Sequence, residues 1–154
     1  MLSSLCEPPE GRHRPLHILL ADDNEMLRVA MRGLLQSLGH TVTPVRNGRE
    51  AVDAASRLSF QVIILDVEMP ELGGFEAASE LRLRHDESPR PRILGISAEA
   101  RDSEAYEKCG MDDFLVKPVR RSDFERALEP RRSPDGEGRG AGGGRVEFRH
   151  RGQS

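Results

Sequence analysis

The chain has 154 residues, a length that suits one domain with short appendages; at 36% hydrophobic and 32% charged it is polar for a compact domain, and much of that polarity sits at the two ends. Residues 131–154 hold six arginines against Asp135, Glu137 and Glu147, a balance of +3, so within a chain of net −3 the residues 1–130 carry −6. An acidic body excludes a nucleic-acid-binding core, which needs clustered Lys and Arg. Cys6 and Cys109 match no metal or redox spacing and fit a reduced compartment. The longest apolar runs, such as Val62–Leu65, are too short to span a bilayer, and no basic-then-apolar signal pattern opens the chain. The expectation is a soluble, cytoplasmic protein with no membrane partner.

Residues 1–15 read as a flexible leader, with Pro8, Pro9 and Gly11 among charged residues. The first short apolar run, His17–Ala21, predicts a strand. Asn24–Leu38 then places Leu27, Ala30, Met31, Leu34, Leu35 and Leu38 on one helical stripe and stops at Gly39, a natural C-cap. A second strand is expected at His40–Val45 and a second helix at Gly48–Leu58, with Ala51, Val52, Ala55 and Leu58 at helical spacing. Gln61–Asp66 predicts the third strand, and Gly74–Arg84 the third helix, through Ala77, Ala78 and Leu81. Arg92–Ser97 is the fourth strand, Glu99–Lys108 the fourth helix and Asp113–Lys117 the fifth strand. The last helix starts at Ser122, an N-cap with Glu125 three residues on, and carries Phe124, Ala127 and Leu128. Residues 131–154, rich in Gly, Arg and Ser with one apolar stretch at Val146–Phe148, cannot bury enough surface to offset ordering entropy and read as a disordered tail. Residues 16–130 are therefore the domain.

Five strand–helix alternations predict a parallel sheet covered by helices on both faces. The unbroken apolar run Val62-Ile63-Ile64-Leu65 agrees, since both sides of such a strand are buried. In doubly wound sheets the functional site lies at the carboxyl ends of the strands. Here those ends are Asp22-Asp23, Asp66, Ser97-Ala98 and Lys117-Pro118. Any one of them alone is an ordinary helix cap or loop. Together at one sheet edge they form a chemical constellation.

Three converging carboxylates repel and raise at least one pKa unless a cation joins them. A hard, oxygen-only site that keeps waters and accepts a phosphate oxygen is what Mg²⁺ prefers. A carboxylate can attack phosphorus to form an acyl phosphate, and phosphoryl transfer then needs chiefly positioning and charge stabilisation. In this reading Asp22 and Asp23 hold the metal, Asp66 is nucleophile and ligand, and the backbone carbonyl of Glu68 completes the protein's share. Lys117 supplies a point positive charge, and Ser97 a hydroxyl for a phosphoryl oxygen.

These segments resemble response-regulator receiver domains. The resemblance runs from about His17 to Glu129 and rests on Ile18-Leu-Leu-Ala-Asp-Asp-Asn-Glu25, Ile64-Leu-Asp-Val-Glu-Met-Pro70, Gly95-Ile-Ser-Ala98 and Gly110-Met-Asp-Asp-Phe-Leu-Val-Lys-Pro118. Asp66-Val-Glu-Met-Pro70 and Gly110-Met-Asp-Asp-Phe114 are most similar to receivers attached to, or served by, hybrid sensor histidine kinases. The resemblance implies a flavodoxin-like five-stranded parallel sheet, order 2-1-3-4-5, with five helices. It implies that Asp66 receives phosphate from the histidine of a sensor kinase or histidine phosphotransfer protein, with Mg²⁺ as cofactor. It further implies that Ser97 turns toward the phosphoryl group, that Phe114 rotates inward, that Lys117 bridges the phosphate, and that Pro118 follows a cis bond. The switched surface would comprise the fourth helix, fifth strand and fifth helix, and would dock a downstream protein target, with Leu115 and Phe124 in the core. The family's usual Asp-Gly before the third helix is Gly73-Gly74 here, which loosens a loop flanking the site.

Two alternatives belong to other classes. A phosphorylation-independent pseudo-receiver would be a pure interaction module, but it usually lacks one of the acids or the lysine. A haloacid-dehalogenase-like phosphohydrolase also joins an Asp nucleophile, Mg²⁺ and Lys, but sets its nucleophile in an Asp-x-Asp pair on the first strand. The expected protein is a signalling module and not a turnover enzyme, acting as a single-domain regulator or as a piece of a hybrid kinase.

Overall fold

The structure, a computed structural model, describes residues 14–85, 90–99 and 105–130. The predicted leader, apart from residues 14 and 15, and the predicted tail lie outside these residues. Five strands, β1 (His17–Ala21), β2 (Thr41–Val45), β3 (Val62–Asp66), β4 (Arg92–Ser97) and β5 (Asp113–Val116), form one parallel sheet in the order β2-β1-β3-β4-β5. Among the described residues there are four helices: α1 (Glu25–Ser37), α2 (Gly48–Arg57), α3 (Gly74–Arg84) and α4 (Arg121–Ala127). Residues 100–104 of the expected helix between β4 and β5 lie outside the description; its far end, from Ala105 to Lys108, is turn.

Alternation along each strand divides the core into two layers, as the period of two requires. Leu19, Ala21, Ile63, Leu65 and Ile93 face α2 and α3, where Ala51, Val52, Ala77, Ala78 and Leu81 meet them. Ile18, Leu20, Val62, Ile64, Leu94 and Ile96 face α1 and α4, against Met31, Leu35 and Phe124. The small residues of α2 and α3 let those helices lie close to the sheet and to each other. Leu115 and Phe124 are core, as expected.

Two local expectations are corrected. On α1 only Met31 and Leu35 of the predicted stripe are buried; Leu27 is 38% exposed and Ala30 is exposed as well. Arg28 is half-buried in their place, so the covered side of the first turns is rotated from the apolar stripe. On α4 the helix starts at Arg121, ahead of Ser122. The third helical residue is then Asp123, whose Oδ2 accepts from the Arg120 backbone N–H at 2.8 Å, so the Ser122–Glu125 box is not used. Gly39 ends α1 as predicted, at φ 99°.

Arg82 of α3 ties the amino-terminal side of the sheet together. Its guanidinium donates to the Gly110 carbonyl, to the Pro91 carbonyl at 3.0 Å and to Asp112 Oδ2 at 2.7 Å. Asp112 Oδ2 also accepts the Ile93 N–H at 2.9 Å. One half-buried charge pair therefore joins α3, β4 and the approach to β5. Arg82→Ala takes the donor from the Gly110 and Pro91 carbonyls and removes the 2.7 Å charge contact to Asp112, and is expected to lower stability by about 2–3 kcal/mol; urea unfolding with no loss of stability would contradict this.

Candidate functional site

The parallel register brings the chemistry together. Ala21 stands beside both Val45 and Leu65, so Asp22 and Asp66 leave adjacent strands at the same level. Asp66 pairs with Ile96, and Ser97 with Val116, so Ser97 and Lys117 continue the row. Five polar side chains separated by up to about a hundred residues of chain thus meet at one edge. Asp22, Asp66 and Ser97 are buried, Lys117 is half-buried and Asp23 is exposed at the mouth.

Lys117 Nζ lies 3.1 Å from Asp66 Oδ2 and 3.9 Å from Asp22 Oδ2. Asp66 Oδ1 accepts the backbone N–H of Glu68 at 3.2 Å, which folds the loop after β3 back over the site. Asp22 Oδ1 accepts the Asn24 N–H at 2.9 Å, whereas Asp22 Oδ2 is buried with no hydrogen-bond partner. Carboxylate oxygens of Asp22, Asp23 and Asp66 all lie within 4.8 Å of one another. A buried carboxylate oxygen left unbonded beside two more acids is the arrangement a small, hard divalent cation satisfies, and the donor set fits Mg²⁺.

Burial pushes the Asp66 carboxyl up to about 6, and the negative charge of Asp22 adds to the rise; the Glu68 N–H and Lys117 pull the other way. The expected mutual repulsion of the acids thus falls on the residue expected to react. Ser97 Oγ accepts the Glu99 N–H at 3.0 Å. Phe114 is already packed inward against Tyr106, with ring centroids 5.6 Å apart. Lys117-Pro118 is cis, as the resemblance implies.

The Gly73-Gly74 step has two faces. Gly73 is the N-cap of α3 and offers no side-chain oxygen to its first turn. Gly74 presses on the end of β3: its N–H donates to the Val67 carbonyl at 3.0 Å, and a Cβ there would collide with the Asp66 carbonyl. This contact, together with the bond from Arg28 Nη1 to the Asp22 carbonyl at 2.8 Å, escaped the sequence reading. Neither has a local signal, since each depends on how a helix end meets a strand.

The profile of the response regulator receiver domain matches residues 18–129. The chain belongs to this family. The receiver is 36% identical over 126 residues to the response regulator MprA of Mycolicibacterium vanbaalenii, a match covering 79% of this chain and 53% of that protein. It is 31% identical over 119 residues to hybrid signal transduction histidine kinase L of Dictyostelium discoideum, covering 73% of this chain but 7% of the kinase. With the aerobic respiration control sensor protein ArcB of Escherichia coli it shares 29% over 105 residues, 68% of this chain and 14% of ArcB. The receiver therefore corresponds to only a part of these relatives. Among solved structures it is similar to the receiver domain of the Pseudomonas aeruginosa sensor histidine kinase PA1611, which carries a magnesium ion in its active site cleft (34% identity, TM-score 0.68, 75% of this chain and 96% of that one). It is also similar to the Vibrio cholerae chemotaxis protein CheY4 (29%, TM-score 0.69, 75% and 98%).

The raised Asp66 has a sign that can be tested without metal. Its carboxyl is easier to protonate in the fold than at its ordinary value of 3.8. The associated stability is present below about pH 4 and is lost as pH rises through about 6, by up to roughly 3 kcal/mol. In EDTA, Asp66→Asn is expected to be more stable than the native chain at pH 7.5, with the difference vanishing near pH 4; urea midpoints at the two pH values check it.

Proposed function

We propose that this receiver accepts a phosphoryl group on Asp66 from a phosphohistidine of a sensor histidine kinase or histidine phosphotransfer protein. The observation that supports it most is the pairing of Asp66 with Lys117 beside the unbonded, buried Asp22 Oδ2. A carboxylate oxygen of Asp66 attacks phosphorus, the phosphorus–nitrogen bond breaks, and the donor imidazole leaves. Lys117 neutralises charge that gathers on the phosphoryl oxygens. Mg²⁺, held by Asp22, Asp23, Asp66 and the Glu68 carbonyl, supplies the remaining positive charge; the Pseudomonas receiver with magnesium in its cleft favours the same ion here.

The consequence is a shift between two populations of surface. A new dianionic group draws the Ser97 hydroxyl away from the Glu99 N–H and resets the packing around Phe114, Tyr106 and β5. The altered face then docks a downstream protein target. The acidic core makes nucleic acid an unsuitable partner. Among the described residues no helix is long and apolar enough to cross a membrane, and we place this signalling step in the cytoplasm.

The decisive test is intact mass after incubation with acetyl phosphate and Mg²⁺. A single phosphoryl adduct is expected on the native chain, none on Asp66→Asn, and none on the native chain in EDTA. An unmodified native chain, also after exposure to a phosphorylated histidine phosphotransfer protein, would leave a phosphorylation-independent interaction module. Steady hydrolysis of small phosphate esters would point to a phosphohydrolase.

A further inference from the structure

Asp22 is held from three sides and left open on the fourth. Its backbone N–H donates to the Val45 carbonyl at 3.2 Å, continuing the β1–β2 ladder by one bond. Its Oδ1 accepts the Asn24 N–H, and Asn24 in turn caps α1 through Leu27. Its carbonyl oxygen accepts Arg28 Nη1 at 2.8 Å. That carbonyl belongs to the peptide plane linking Asp22 to Asp23, so whatever orients it orients both carboxylates. The plane lies past the last β1 pairing with β2 and β3, at Ala21, and no strand partner reaches it. Among the described residues Arg28, half-buried on the first turn of α1, reaches it.

We infer that Arg28 is a positioning residue for the cation site: its guanidinium holds the Asp22–Asp23 peptide so that the two carboxylates face Asp66 at metal-binding separation. This role rests on the phosphoacceptor reading and extends it. Two effects of the residue oppose each other. The hydrogen bond pre-orders the acids and favours the cation, while the positive charge nearby repels it. Removing Arg28 tests only the sum, so the charge has to be held constant in one variant. Arg28→Lys keeps the charge but loses the planar fork that reaches the carbonyl; Arg28→Gln loses both charge and reach.

Partners that orient a metal's ligands commonly change affinity by one order of magnitude or more when removed. Calorimetric titration of the full chain with Mg²⁺ is therefore expected to show a dissociation constant about tenfold weaker in Arg28→Lys. Arg28→Gln is weaker than the native chain too, but by less, because repulsion is also relieved. The metal-free melting temperature stays within a few degrees in both. Phosphoryl adduct formation from acetyl phosphate is slow in the variants at low Mg²⁺ and recovers at saturating Mg²⁺. Native Mg²⁺ affinity in Arg28→Lys overturns the assignment, as does weakening that only tracks a large fall in metal-free melting temperature, which marks a structural tie. A slow adduct that saturating Mg²⁺ does not restore also overturns it, since Arg28 would then act on the phosphoryl group. A native chain that binds no Mg²⁺ and takes no adduct fails at the phosphoacceptor reading itself, separately from any effect of Arg28.

Discussion

Three carboxylates whose oxygens lie within 4.8 Å of one another, two of them buried, would not be kept together by a fold without a compensating charge. The salt bridge from Lys117 to Asp66, at 3.1 Å, provides part of it. One ammonium cannot balance three acids: burial first, and then the charge of Asp22, holds the Asp66 carboxyl up, and an Asp22 oxygen stays buried without a hydrogen bond. The site is therefore crowded with negative charge in the metal-free protein, and a divalent cation is the partner that would relieve it.

The rest of the molecule holds that arrangement still. Two apolar layers clamp a sheet whose central strand, β3, is buried along its whole length, so Asp66 is delivered from a rigid support. Helix α3 touches the end of β3 through Gly74, where any side chain would displace the Asp66 carbonyl. At the opposite edge, Arg82 joins α3 to both β4 and the approach to β5. The helix that touches the end of β3 at the site is thus anchored at its far end as well. The bond from Ser97 to the Glu99 N–H lies at the site.

The rim of α1 has a separate character. Met26, Leu27, Val29 and Ala30 are exposed beside the carboxylates. The helical stripe in the sequence correctly marks the apolar side of α1, but periodicity carries no information about how far the opposing layer extends. On α1 the half-buried position in the first turn is Arg28 and not Leu27, so the covered side is rotated from the apolar stripe there. In the same way the α4 start depends on where the chain comes out of the Lys117-Pro118 turn, which moved the cap from Ser122 to the residues Arg120 and Asp123.

By itself the sequence determined the strands, the alternation that makes the sheet parallel, and the identities of Asp22, Asp23, Asp66, Ser97 and Lys117 as strand-end residues. These are local properties: apolar runs of strand length stop where a polar residue appears, and each stop is written in neighbouring positions. Only the tertiary structure decided the register that sets the five side chains in one row, the burial that pushes Asp66 up while leaving Asp23 in solvent, and the reach of Arg28, Gly74 and Arg82 onto backbone carbonyls. Those depend on distances between segments remote in the chain. A carbonyl's partner across tens of residues leaves no trace in the pattern around either one, because any arginine or glycine of suitable reach would look the same until the helices are packed.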